Sequence, residues 1–296
     1  FEVQDEIVRS VTQAILGEIE LASLNRAKRK PTQNMSSYEF LLRGKEGHHA
    51  IDKDANAHAL EMFDKAIAAD SANAQAYAWK ACTMGQALGR GWIEKSLEEV
   101  MPEFNKLMDH AVKADPNDFE LHRLLCGIST MTGKFKAAVE HGKKAYDMVP
   151  NDPRILQQYG EILLKTGKTK QGCDLTLLAL EYDPVAQGQT NSDKRKSDAV
   201  FGCLMDDRVE LGLELAEEIE ACSENILLFA AALSVAKHGS LEQCPWLIKD
   251  LKTCDFEGLE AAIEEMGRYD VVVQSTLREV FLDHVAKLQP KLQLVS

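Results

Sequence analysis

Three prolines measure out the middle of this chain. Pro116, Pro150 and Pro184 stand 34 residues apart, and Asn117-Asp118 and Asn151-Asp152 follow the first two. A glycine returns midway, at Gly133 and Gly167, and an alanine five residues before each closing proline, at Ala145 and Ala179. Each residue suits one role in a helix–turn–helix unit. Glycine takes the left-handed turn position without Cβ strain. Alanine lets neighbouring helices approach, and proline ends the second helix because it cannot extend the hydrogen-bond ladder.

A helix–turn–helix unit with this period resembles the tetratricopeptide repeat, or TPR. The predicted fold class is an all-α TPR helix–turn–helix solenoid closed by a degenerate helical C-terminal cap. Four repeats are predicted, over 36–71, 74–116, 119–150 and 153–184. The second is about ten residues too long, with the excess near Leu88 to Ile93, which implies extended helices or a protruding hairpin. From 185 to 296 the period fails. There Gln187 to Lys196 reads as a loop, decayed helix pairs follow, and a last helix is expected from Val271 to Leu288. Stacked repeats need a capping element with a polar outer face, and this region is the candidate.

Residues 1–30 carry Ile7, Val11, Ile15 and Ile19 at helical spacing, then a basic end at Arg26, Lys28, Arg29 and Lys30. That pattern predicts an amphipathic helix and linker following an upstream domain. Its apolar stripe would dock on the first repeat or pair with a second copy as a homodimer.

Composition narrows the partners. The net charge of −13 disfavours nucleic acid and anionic lipid, and the longest apolar run, Ile226 to Ala236, is too short to span a bilayer. Seven cysteines without a C-x-x-C pair read as reduced packing thiols in a cytoplasmic protein.

The chain shows no catalytic, cofactor-binding or metal-binding constellation. Gly167-Lys168-Thr169 mimics the end of a P-loop, but Ile162 occupies the position that would need glycine. His48 and His49 are adjacent, so they point about 100° apart on a helix and read as a solvated face. The expected activity is therefore binding, to a protein or peptide. First helices of TPR arrays line the concave side, and by register their outward residues are Trp79, Arg123, Arg154, Gln157, Gln158 and Glu161. Trp and Arg are enriched at binding hot spots. The alternative at Trp79 is plain packing. The carboxylate clamp of chaperone-adaptor TPRs is missing: one register puts Leu41, Lys45, Trp79, Glu120 and Leu124 at its positions, the next Ala78, Cys82, Leu124, Arg154 and Gln158.

FEVQDEIV, RAKRKP, SSYEFLLRG and Gly91-Trp92, with the repeats, resemble the C-terminal TPR region of bacterial class III adenylate and guanylate cyclases. The resemblance implies a regulatory, non-catalytic segment of a cytoplasmic signalling protein whose effector domain, a cyclase, precedes Phe1 and could itself be the partner. A winged-helix transcription regulator bearing the same module, or a free-standing adaptor, are the alternatives.

Overall fold

The computed structural model describes residues 23–25, 27, 35–186, 189, 191–268 and 270–288. Apart from 23–25 and 27, the expected N-terminal helix over 1–30 lies outside the described residues. The described residues are α-helical with no strand among them. The chain divides into two compact units, residues 1–155 and 156–296.

In the first unit the helices are α1 (Ser37–His49), α2 (Lys53–Ala69), α3 (Ala74–Gly89), α4 (Leu97–Ala114), α5 (Phe119–Met131) and α6 (Phe135–Met148), followed by the start of α7 (Pro153–Lys165). Their beginnings are written in the sequence. Ser36 and Ser96 make capping boxes with Glu39 and Glu99, and the Asp52, Asn73 and Asp118 side chains accept from first-turn amides. Helices pair in order, α1 with α2, α3 with α4, α5 with α6, and the first helices α1, α3 and α5 also lie side by side. Phe40, Met62, Phe63, Tyr77, Phe104 and Leu121 fill the core. Close approach is built on small residues: a Cβ added to Gly44 would stand 2.4 Å from the Phe63 ring.

The long second repeat resolves as a loop between α3 and α4, with Gly91 left-handed at φ 64°. The turn glycines behave as their spacing requires, Gly133 at φ 70° and Gly167 at φ 82°. The equivalent position between α1 and α2 is Ile51, at φ 53°. A branched side chain is seldom found in that conformation.

The second unit continues with the rest of α7, then α8 (Thr169–Tyr182), α9 (Asp193–Met205), α10 (Val209–Glu217), α11 (Glu224–His238), α12 (Pro245–Thr253), α13 (Phe256–Met266) and α14 (Val271–Val280). The predicted 187–196 loop is shorter than expected, because α9 already begins at Asp193. The expected last helix is α-helical only to Val280, passing into a π-turn at Phe281–Val285 and a 3-10 turn at Ala286–Leu288. Helix α11 is the central element, its Ile226 to Leu233 run buried on every side. No helix among the described residues is long and apolar enough to cross a membrane.

Candidate functional site

The first helices of the opening unit bring their chemistry to one place. His48 and His49 occupy the last turn of α1, with Lys45 one turn before them, and Trp79 lies near the middle of α3. Glu120 and Arg123 sit one turn apart on α5, while Asp152 and Arg154 flank the start of α7. Lys45 Nζ stands 5.7 Å from the centroid of the Trp79 ring and Arg123 Cζ 5.5 Å. The His48 and His49 rings meet the same indole edge-on, at 5.1 and 5.4 Å. An indole face attracts cations through its quadrupole, so Trp79 links the first repeat to the third.

Around this indole the charges are nearly balanced. Glu120, 2% exposed, accepts a two-pronged pair from Arg123, Nε at 2.9 Å and Nη2 at 3.0 Å. Arg154 Nη1 adds a third contact at 3.3 Å. Asp152 in turn accepts from Arg154 Nη2 at 2.5 Å, Nε at 3.0 Å and the backbone amide at 2.9 Å. Burial pushes the Glu120 carboxyl up, but Arg123, Arg154 and Lys45 together hold it well below the usual range. Burial and Arg123 lower His48 to about 4. His49 falls to about 3, through burial first and then His48, Arg123, Lys45 and Arg154. Both imidazoles are therefore neutral near pH 7. His48 Nδ1 lies 3.0 Å from Thr83 Oγ1. Two buried polar atoms here have no hydrogen-bond partner, His49 Nε2 and Trp79 Nε1.

Trp79, Arg123 and Arg154 are thus brought together, as register predicts, but not with the exposure expected of them. Trp79 is 2% exposed, because side chains from α1 and α5 close over it. Arg123 is 6% exposed and paired with a carboxylate one turn before it. Of the three, Arg154 keeps the most contact with solvent, its side chain 30% exposed. His48 and His49 are half-buried packing rings rather than a solvated face.

Gln157, Gln158 and Glu161 fall beyond Ile155, in the second unit. There Gln157 donates to Asp198 and accepts from Arg195, a guanidinium only 1% exposed that also pairs with Asp183 at 3.1 Å. Glu161 pairs with Lys165 at 2.7 Å. Burial pushes Glu161 up, yet Lys165 and Lys194 hold it low, whereas at Asp198 burial prevails and the carboxyl is raised. Gln158 lies half-buried on the same helix.

Lys45, Glu120 and Asp152 in the first unit, with Lys194, Arg195 and Asp198 in the second, complete these networks and were missing from the predicted set. A signal for two of them was present: Lys45 lies 34 residues before Trp79, and Glu120 lies 34 before Arg154. Applying the period backwards would have recovered both. Among the described residues no group of His, Cys, Asp and Glu is arranged to hold a metal ion. All seven cysteines are free thiols, and burial pushes Cys82 up to about 11.

No protein-family profile matches this chain, and no curated protein matches it. Solved structures do. The chain is similar to Pseudomonas aeruginosa pilF at TM-score 0.51 and 11% identity, over 81% of this chain and 96% of that one. It is also similar to a chain of the APC/C hetero-tetramer Cut9–Hcn1, at TM-score 0.55 and 13% identity. That match covers 89% of this chain but 46% of the other, so this chain spans less than half of it. A tetratricopeptide repeat protein from Parabacteroides merdae matches at TM-score 0.47 and 12% identity, over 83% and 99%. The fold is an all-α TPR helix–turn–helix solenoid.

Proposed function

We propose that this chain is a protein- or peptide-binding TPR region without catalytic chemistry of its own, and that the first unit binds through the face where α1, α3 and α5 lie side by side. The observation that carries this reading is the cluster around Trp79. Three cations and two carboxylates are gathered on one face of a molecule whose net charge is −13. Scattered surface ion pairs would contribute little to stability, and packed ones rarely exceed an apolar alternative. Concentrating them on neighbouring first helices makes sense as recognition, where oriented charge sets partner choice. The similarity to TPR structures supports the fold beneath this reading. The partner is read as a protein or peptide, with neither nucleic acid nor membrane involved.

The parent is read as a cytoplasmic bacterial signalling protein, a class III adenylate cyclase, whose own effector domain is the natural ligand. What supports this is the run FEVQDEIV, RAKRKP and SSYEFLLRG with Gly91-Trp92. Pull-downs with the intact chain and an Arg154→Glu variant of unchanged circular-dichroism melt test the surface. Arg154 is the variant of choice because Trp79 and Arg123 are buried. The variant is expected to lose the partner. Equal recovery by both would place the binding surface elsewhere.

A further inference from the structure

Helices α11 and α14 pack together in the second unit and leave a cavity of about 250 Å³ between them. Ala232, Val235 and Ala236 line it from α11, at the spacing of one helix face. Thr276, Glu279 and Val280 line it from α14, and Asp283 and His284 from the π-turn that follows. The floor is apolar, with Ala232 and Val280 buried and Val235 half-buried. The rim is open, for Thr276, Glu279 and Asp283 are exposed. Pockets for drug-sized ligands run to roughly 300–1,000 Å³, so this one suits a single side chain rather than a cofactor.

The rim says what charge that side chain carries. Thr276 donates its hydroxyl proton to the Val272 carbonyl at 3.1 Å, which leaves its oxygen as an acceptor. The Glu279 and Asp283 carboxylates only accept. No lysine or arginine lines the cavity, and among the described residues neither carboxylate makes an ion pair. Lys237, Arg278 and Lys287, the nearest cations along the chain, form no part of the lining. Like charges about one turn apart on a helix repel, and a cation placed at this rim relieves that repulsion. The cavity therefore matches a donor-rich cation carried on an aliphatic stem.

Lysine fits that description better than arginine. Its four-carbon stem lies readily along apolar surface while the ammonium stays at the edge, a compact charge with three donors that can serve separate acceptors. A guanidinium fork is matched best by one carboxylate taken two-pronged or by an aromatic face, and no phenylalanine, tyrosine or tryptophan lines this cavity. We infer that the cavity is a subsite for a lysine side chain of a partner protein, with the stem on Ala232, Val235, Ala236 and Val280 and the ammonium at the Glu279 and Asp283 rim. The subsite lies wholly in the second unit. It does not depend on the binding face of the first unit, so the two readings fail separately.

The test follows the methyl resonances of Ala232, Val235 and Ala236 in the full chain. The probe is a short alanine peptide capped at both ends with one central lysine. Its companions carry norleucine, which keeps the stem without the charge, or arginine in place of the lysine. The lysine peptide is expected to move the three methyls, less so at high salt, and the norleucine peptide to leave them in place. Glu279→Gln/Asp283→Asn changes exposed side chains only, and should weaken lysine binding about tenfold with an unchanged melt. Ala236→Leu, which fills the floor and keeps both carboxylates, should also weaken it. Unmoved methyls with the lysine peptide overturn the proposal. Undiminished binding by Ala236→Leu would reduce the effect to attraction by an acidic surface, and overturns it as well. Equal or tighter binding of the arginine peptide overturns the choice of lysine. Equal binding of n-butylammonium overturns the protein partner in favour of a small amine. Methyl shifts that appear on concentrating the chain alone would make the occupant a second copy, and overturn the partner likewise.

Discussion

Acidification should loosen the first unit well before its carboxylates titrate. His48 and His49 have an ordinary value of 6.5 and are lowered to about 4 and about 3 in the folded chain. Between 6.5 and about 4 the unfolded chain takes up a proton at each ring and the folded chain takes up neither. The unfolded state then binds more protons, so stability is fully present above the unfolded value and is lost as pH falls. Two such groups set a limiting slope of about 2.7 kcal/mol per pH unit, and roughly 3 kcal/mol is lost between pH 6.5 and 5, because the unfolded rings are only half protonated at the start of that interval. That is a large part of the ~5–15 kcal/mol that holds a typical domain together. His141, half-buried against His122 and likewise lowered, adds a smaller contribution of the same sign. Glu120 and Asp152 are held below their ordinary values of 4.5 and 3.8, so their stabilisation is lost only at lower pH and leaves this window clear. Amide exchange in α1, α3 and α5 measures the effect without requiring both units to unfold together. Opening free energies should fall from about pH 7 to about pH 5, and a His48→Gln/His49→Phe variant should lose most of that dependence. An equally steep slope in the double variant would refute the assignment to these rings.

Three substitutions probe the packing. Trp79→Ala removes a buried indole that touches two cations and two imidazoles, and should cost the first unit ~3–5 kcal/mol in urea melts. A loss within experimental error would mean the ring is not the link between repeats. Gly44→Ala forces a methyl to within 2.4 Å of the Phe63 ring and should cost ~1–3 kcal/mol by overpacking, read as a lower denaturation midpoint. Ala138→Leu, at a position with 0% exposure on α6, should cost a similar ~1–3 kcal/mol, and an unchanged midpoint would show that α6 has room the structure denies.

The turns were the most legible part of the fold because local chemistry decides them. Gly133 and Gly167 take the positive φ their spacing demanded, and Asp118 caps α5 as its place after a proline suggests. Ile51 and Asp207 hold the same left-handed position between other helix pairs, at φ 53° and 55°, so the turn conformation recurs where the sequence has no glycine to signal it. Helix α13 went unread because Phe256–Met266 lies where the period has already failed.

The site was half legible for a related reason. Register identifies which residues share a face, but burial depends on what neighbouring repeats lay over them. Trp79 looks like an exposed anchor within its own repeat, and Lys45 of the first and Arg123 of the third turn it into a covered one. The same logic changes the electrostatics. Glu120 precedes Arg154 by one period, so stacking sets a carboxylate beside the cation on the next first helix. A face that reads as an aromatic flanked by arginines becomes nearly neutral, its guanidinium forks occupied.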